Sequence, residues 1–376
     1  MTDNIFKRAV EDGLKGLNQG LNIGLPRLNA YIHGVQKKYY YVIGGGPKSG
    51  KTAFLDNCFI LQPYINDILP KNEPVEYHYF SMEIDLVEKI AKWVAYFMDI
   101  KYGIYCDSNY ILGRCKDKLT PEHLRLVNEI YDTDIVRLFG DLDENGIPKK
   151  DSPKLITFYQ DKETPSSIFN MMLEVAERNG KVLRENIVER DEFNNKITRQ
   201  RIVGYIPNDP KKKIICIVDH VALCKRNPGL SEKENIDKLS EGFVFLRNLF
   251  GMTIIVLSQF NRELENIDRL KVSKDNLAPT RADFKGTGNL SEDANLVIGL
   301  LNPNVYPNLD SHLGYSLKDW GNSYRSVHIV ASRNIEGDSN ISVLLEGKTG
   351  RIKELPKKDD YIGLEKMRNY KLEKGL

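Results

Sequence analysis

The segment YYYVIGGGPKSGKTAF sets Gly45, Gly50, Lys51 and Thr52 in the order GxxxxGK[ST]. The chemistry that suits this spacing is the grip of a polyphosphate. Glycines let successive backbone N–H groups curl round an anion, and a following helix presents its positive end. Gly45, Gly46, Pro47, Lys48, Ser49, Gly50, Lys51, Thr52 and Ala53 are therefore the candidate nucleotide-binding residues. Lys51 would reach the β and γ phosphates, and the Thr52 hydroxyl would ligate Mg²⁺. A second metal holder is expected where an acid closes a buried strand, and KKKIICIVDH supplies Asp219 after five apolar residues; the alternative is an aspartate that caps the next helix. Hydrolysis also needs a group to polarise water. Glu83 follows HYFSM and Gln259 follows TIIVLS. A carboxylate can accept a proton from water, whereas an amide can only orient one or sense the phosphate. Glu83 is thus the candidate base, against the alternative of an ordinary exposed acid, and Gln259 the candidate sensor. His220, next to Asp219, either packs or hydrogen-bonds behind the site, the alternative being that it lines the nucleotide site itself.

These residues need a scaffold that brings strand ends together. Residues 39–43, 75–81, 214–219, 253–258, 296–301, 327–331 and 341–345 are short apolar runs rich in Val and Ile, the pattern of buried strands. Helical spacing appears over 53–65, 86–98, 165–178 and 236–250. Such alternation predicts an α/β fold, a mostly parallel sheet sandwiched by helices. The polar stretch near 135–154 and the alternating one near 180–213, ending in PNDPKKK, read as surface insertions between the Glu83 strand and the Asp219 strand, both suited to hairpins. Residues 1–18 predict a short amphipathic helix, folded on its own domain or docked on a neighbour. Residues 19–355 form the body, and 356–376 a charged tail or terminal helix.

The 376 residues suffice for one large domain with insertions or two ordinary ones. Lys plus Arg (54) nearly balance Asp plus Glu (52), so any polyanionic partner must be met by local basic patches. The five cysteines (Cys58, Cys106, Cys115, Cys216, Cys224) form no CxxC pair and read as reduced thiols. The six histidines lack metal-binding spacing. No run approaches the roughly 20 apolar residues of a membrane span. A cytoplasmic protein without membrane contact is expected.

Taken in order, the motifs resemble the carboxy-terminal motor domain of DnaB-type hexameric replicative helicases, within the RecA-like ATPases. The resemblance runs from about Asn18 to Leu355. LNQGLNIGLPRLNAYIHG resembles the approach to that family's P-loop, GGPKSGKT the loop, FSMEI the motif with the catalytic glutamate, and IVDH the Mg²⁺-binding strand. LSQFNR resembles SQxNR, and DFKGTGNLSEDANLVIGL resembles DLRxSGxIEQDAD. The likeness implies ATP and Mg²⁺ as cofactors and a ring, a homo-hexamer or similar, in which a neighbour supplies positive charge to the γ phosphate. SVHIVASRNIEG places Arg333 on the family's arginine position, while Ala331 stands where the family has lysine. It also implies single-stranded DNA held by channel loops, here carrying Lys225 and Arg226, then Lys271, Lys274, Arg281, Lys285, Gly286, Thr287 and Gly288. Only about 18 residues precede the motor, which puts coupling to primase in doubt, although a primase or loader is an expected class of partner. The compact form fits a phage-encoded version acting in host cytoplasm. The reading is an ATP-dependent DNA helicase or translocase in DNA replication. Its alternatives are a RecA-like ATPase in recombination or regulation without unwinding, and an accessory DNA-binding protein with a residual ATP site.

Overall fold

The computed structural model describes residues 2–16, 18–144, 147–149, 152–190, 196–261, 264, 267–273, 277–284, 288–306, 309–333 and 339–376. Its strands are β1 (Tyr40–Gly45), β2 (Val75–Ser81), β3 (Ile156–Tyr159), β4 (Gly180–Arg190), β5 (Lys196–Pro207), β6 (Lys213–Asp219), β7 (Thr253–Gln259), β8 (Leu296–Leu301), β9 (Ser311–His312), β10 (Tyr315–Ser316), β11 (Tyr324–Ser332), β12 (Asn340–Leu345) and β13 (Ile352–Glu354). Nine of them form one sheet in the order β13-β12-β11-β8-β1-β7-β6-β2-β3. The run from β8 to β3 is parallel, and β11, β12 and β13 add an antiparallel edge. The mostly parallel sheet expected from the alternation is therefore present.

Successive side chains on a strand point to opposite faces, and the core divides accordingly. Tyr41, Ile43, Tyr77, Tyr79, Ile215 and Ile217 pack on one face with the P-loop helix and the helix Leu86–Tyr102. Tyr40, Val42, Phe80, Cys216 and Val218 pack on the other, under the helices Pro165–Asn179 and Glu232–Phe250. Both of the latter start on strong caps, Thr164 before Pro165 and a Ser231–Glu234 capping box.

The P-loop helix begins at Lys51–Leu55 and continues through π-helical turns, Asp56–Leu61 and Tyr64–Ile68. Pro63 has no N–H and cannot bond the carbonyl four residues earlier. The hydroxyl of Tyr77 donates to that carbonyl, of Phe59, at 3.1 Å, so the helix runs on beneath the sheet.

Strands β4 and β5, Gly180–Arg190 and Lys196–Pro207, pair antiparallel as a two-stranded sheet apart from the main one, as the alternating pattern near 180–213 suggested. The segment near 135–154 differs from the surface insertion expected. Its first residues are helical, with Ile135, Leu138 and Phe139 buried, because DIVRLF carries apolar groups at helical spacing. Its later part makes a tight bridge between Leu142 and Pro148. Near the amino terminus Thr2–Leu14 is a helix that exposes Phe6, Val10 and Leu14 along one face. After 355 the chain forms the helix Tyr361–Glu373, which buries Leu364 against a small core of Tyr315, Trp320 and Tyr324.

Candidate functional site

Parallel register gathers the candidate residues at one end of the sheet, the carboxyl ends of the strands, where ligands bind in such folds. Gly45 pairs with Gln259 on β7, and Ser81 pairs with Asp219 on β6. Beyond Ser81 the Met82 N–H donates to the Asp219 carbonyl at 2.9 Å, and the chain bends to expose Glu83. Glycine is required twice in the loop. Gly50 has φ 93°, and a Cβ at Gly45 would lie 2.5 Å from Ser49 Oγ and 2.9 Å from the Leu300 carbonyl. Pro47 and Lys48 are exposed, Gly46 and Ala53 half-buried, and the buried Ser49 Oγ has no hydrogen-bond partner among the described residues.

Lys51 Nζ donates to the carbonyls of Gly45 (2.9 Å) and Gly46 (3.0 Å). Burial pulls its ammonium below the usual lysine range, while the charges of Asp219 and Glu83 oppose that shift. The Thr52 hydroxyl donates to Asp219 Oδ2 at 3.2 Å across 167 residues of sequence. Mg²⁺ takes hard oxygens at about 2.1 Å in an octahedron, which sets neighbouring ligands about 3 Å apart. The Thr52–Asp219 pair matches that spacing. Among the described residues no group of three His, Cys, Asp or Glu side chains could hold a metal, so a metal here would be held by these two oxygens with phosphate and water.

His220 is buried, and its Nε2 lies 3.3 Å from the Gln259 amide nitrogen. Burial lowers its pKa, so a neutral ring accepts from the amide and fixes the side chain of Gln259. A cavity of about 310 Å³ opens beside Thr52 and Ala53, lined by Asp56, Trp93, Tyr96 and Thr349.

Arg333 is not part of this cluster. Ser332 pairs with Leu296, which pairs with Tyr41, whereas the P-loop leaves β1 at Gly45. Four residues of strand separate the two ends by roughly 13 Å. Arg333 is exposed there, donating to the carbonyls of Glu292 (3.1 Å) and Asp293 (3.3 Å). Ala331 is half-buried. Of the candidate DNA contacts, Lys225 and Arg226 lie exposed after β6, with Arg226 3.2 Å from Glu232. Arg281 and Lys271 are exposed between β7 and β8, while Lys274, Lys285, Gly286 and Thr287 lie outside the described residues.

The sequence profile of the DnaB-like helicase C-terminal domain matches residues 166–353, half of the chain. The chain belongs to this family. The matched span holds Asp219, Gln259 and Arg333; the P-loop and Glu83 precede it and join it through the register described above. Two solved structures share the fold of this DnaB-like chain. One is described as an ATPase domain, with a TM-score of 0.62 and 17% identity over 95% of this chain and 99% of that one. The other is a DnaB-like replicative helicase, described with its interactions with primase, with a TM-score of 0.58 and 16% identity over 94% of this chain and 66% of that one. No curated protein matches the sequence.

Behind Asp219 lies a buried network that the motifs do not include. Tyr79 OH is 3.0 Å from Asp219 Oδ2 and accepts from Lys89 Nζ at 2.9 Å. Lys89 also bonds both Asp56 oxygens, at 2.9 and 3.1 Å, and Trp93 Nε1 donates to Asp56 at 3.0 Å. Burial pushes the Asp56 carboxyl up, and the Lys89 charge opposes it. Helical spacing offers a signal, since Leu86, Lys89 and Trp93 fall on one buried stripe. Removing one partner of a buried ion pair strands the other charge, at a cost of about 3–5 kcal/mol. Lys89→Met is therefore expected to lower unfolding stability by about that amount in chemical denaturation, and adding Asp56→Asn should recover a large part of it. Equal stability of wild type and Lys89→Met would contradict the network.

Proposed function

We propose that this DnaB-like chain is an ATP hydrolase that uses Mg²⁺ and assembles as a ring, a hexamer in the family pattern, to translocate on single-stranded DNA and separate duplex during replication in the cytoplasm. The observation that carries the reading is the Thr52 hydroxyl meeting Asp219 at 3.2 Å at the mouth of the glycine loop. Lys51 neutralises charge on the β and γ phosphates, exchanging its two carbonyl partners for phosphate oxygens. Thr52 and Asp219 hold Mg²⁺, which when bound shields the phosphate charge that would repel a nucleophile. Glu83 takes a proton from the attacking water, and Gln259, held by His220, senses the phosphate. The cavity beside Thr52 receives the rest of the nucleotide.

Arg333 cannot serve the nucleotide of its own chain from the far end of β11. It suits a site on a neighbouring copy, where a finger arginine contributes about 10³ to 10⁵ in rate in related phosphoryl-transfer systems. Lys225, Arg226, Lys274, Arg281, Lys285 and Gly286 are the proposed contacts to DNA phosphates, with no reading of bases.

Single-stranded DNA is expected to stimulate phosphate release by the assembled protein, with stimulation falling steeply as salt rises because counterions are displaced. Electron microscopy with an ATP analogue should find closed rings. A well-formed ring whose turnover ignores DNA would overturn the motor reading.

A further inference from the structure

Arg325 on β11 is 4% exposed, and four of its hydrogen bonds go to backbone carbonyls. Nε donates to Ser49 at 2.8 Å and Nη2 to Lys48 at 3.3 Å; Nη1 donates to Asn322 at 2.6 Å and Tyr324 at 2.7 Å. Register explains how a strand beyond β8 reaches the P-loop. Ser326 pairs with Leu301 and Leu300 with Gly45, so Arg325 lies at the loop end of the sheet. Among the described residues no carboxylate pairs with it. Burial lowers its pKa to about 10, which leaves it a cation at neutral pH.

A buried cation without a counter-charge is costly, and proteins rarely keep one unless something compensates it. The position of the two loop acceptors indicates what does. A trans peptide is planar, so its C=O and N–H point opposite ways. With the Lys48 and Ser49 carbonyls turned onto the guanidinium, the amides of Ser49 and Gly50 face away from it; without ligand the Ser49 N–H donates to the Gly46 carbonyl at 3.3 Å across the loop, a partner that a phosphate oxygen would replace. Lys48 is itself held at φ 56°, a left-handed conformation unfavourable for a residue with a Cβ. The planar fork of arginine can brace two successive carbonyls at once, which an ammonium cannot do with fixed geometry.

We propose that Arg325 is a positioning residue that orients the Lys48–Gly50 turn with its amides toward the phosphates, and that nucleotide phosphate supplies the negative charge its guanidinium lacks. This inference rests on the nucleotide site proposed above. The ammonium of Lys51 is a separate cation on the loop itself, so the two contributions are separable by substitution.

The test compares Arg325→Met and Arg325→Lys with wild type in titrations of Mg–ATP and of Mg-tripolyphosphate, with steady-state hydrolysis and thermal melting without ligand. Loss of a charge-assisted brace is expected to weaken both ligands by about tenfold or more in Arg325→Met. KM should rise in step while kcat stays within a few-fold, because the grip is alike in ground and transition states. Arg325→Lys keeps the charge but not the fork and should fall between. With tripolyphosphate bound, hydrogen exchange at the Gly50 amide should be faster in both variants than in wild type, a change that a merely global loss of stability would spread over the whole sheet. A folded Arg325→Met that binds both ligands as tightly as wild type overturns the proposal. If the methionine variant does not fold, an Arg325→Lys protein with wild-type affinities and wild-type Gly50 exchange overturns it. Wild-type protein that binds neither ligand would instead overturn the reading of the nucleotide site, and this inference with it.

Discussion

Lys51→Ala is expected to abolish ATP hydrolysis while leaving the fold intact. Without ligand, the partners of Lys51 among the described residues are the carbonyls of Gly45 and Gly46, and burial already disfavours its charge. Deleting it strands no buried partner, since the Gly45 carbonyl also accepts from the Phe260 N–H at 3.2 Å and the Gly46 carbonyl from the Ser49 N–H at 3.3 Å, so melting without nucleotide should shift little. With nucleotide the balance reverses. The ammonium folds back onto the loop's first carbonyls, at Gly45 and Gly46, and losing a preorganised donor at a site of developing charge costs about 10² to 10³ in turnover. Phosphate release measured beside thermal melting checks both halves. Persistent turnover in a folded variant would remove Lys51 from the phosphate site.

Glu83→Gln is expected to separate binding from chemistry. The substitution keeps size and hydrogen-bonding shape but removes the ability to accept a proton, and positioned bases are worth about 10² to 10⁴ in rate. Glu83 is exposed at the bend after β2 and supports neither core nor loop. Its charge acts on Lys51 and on His220, so it lies close enough to the cluster to influence both. Turnover should fall by about that factor while the dissociation constant for Mg–ATP stays within a few-fold. An equal loss of affinity and turnover would make Glu83 a binding group instead of a base.

The site end of the sheet is legible in the sequence because its residues close short apolar runs. Asp219 ends the run from Ile214, and Gln259 the run from Thr253, and in a parallel sheet such ends must converge. The strand Val75–Ser81 keeps its expected bounds for the same reason. The edge strand Ile156–Tyr159 escapes sequence reasoning because four residues carry too little pattern to separate a strand from a loop. Arg333 is legible as a motif residue, but which end of the sheet it occupies follows only from the reversal of β11 against β8. Lys89, Asp56, Tyr79 and Arg325 are invisible as a set, because each is ordinary in its own segment and acquires meaning from partners far away in sequence. Within the stretch near 135–154 the polar turn masks the apolar spacing of Ile135, Leu138 and Phe139.

The two rims of the nine-stranded sheet are β13, three residues long, and β3, four residues long. Such stubs offer too few unpaired backbone groups to template another strand, which guards against runaway polymerisation by edge pairing. In the ring proposed above, contacts made at these two rims would therefore run through helices, loops and side chains, which can slide, loosen and reform during a working cycle where a continuous ladder of backbone bonds would lock.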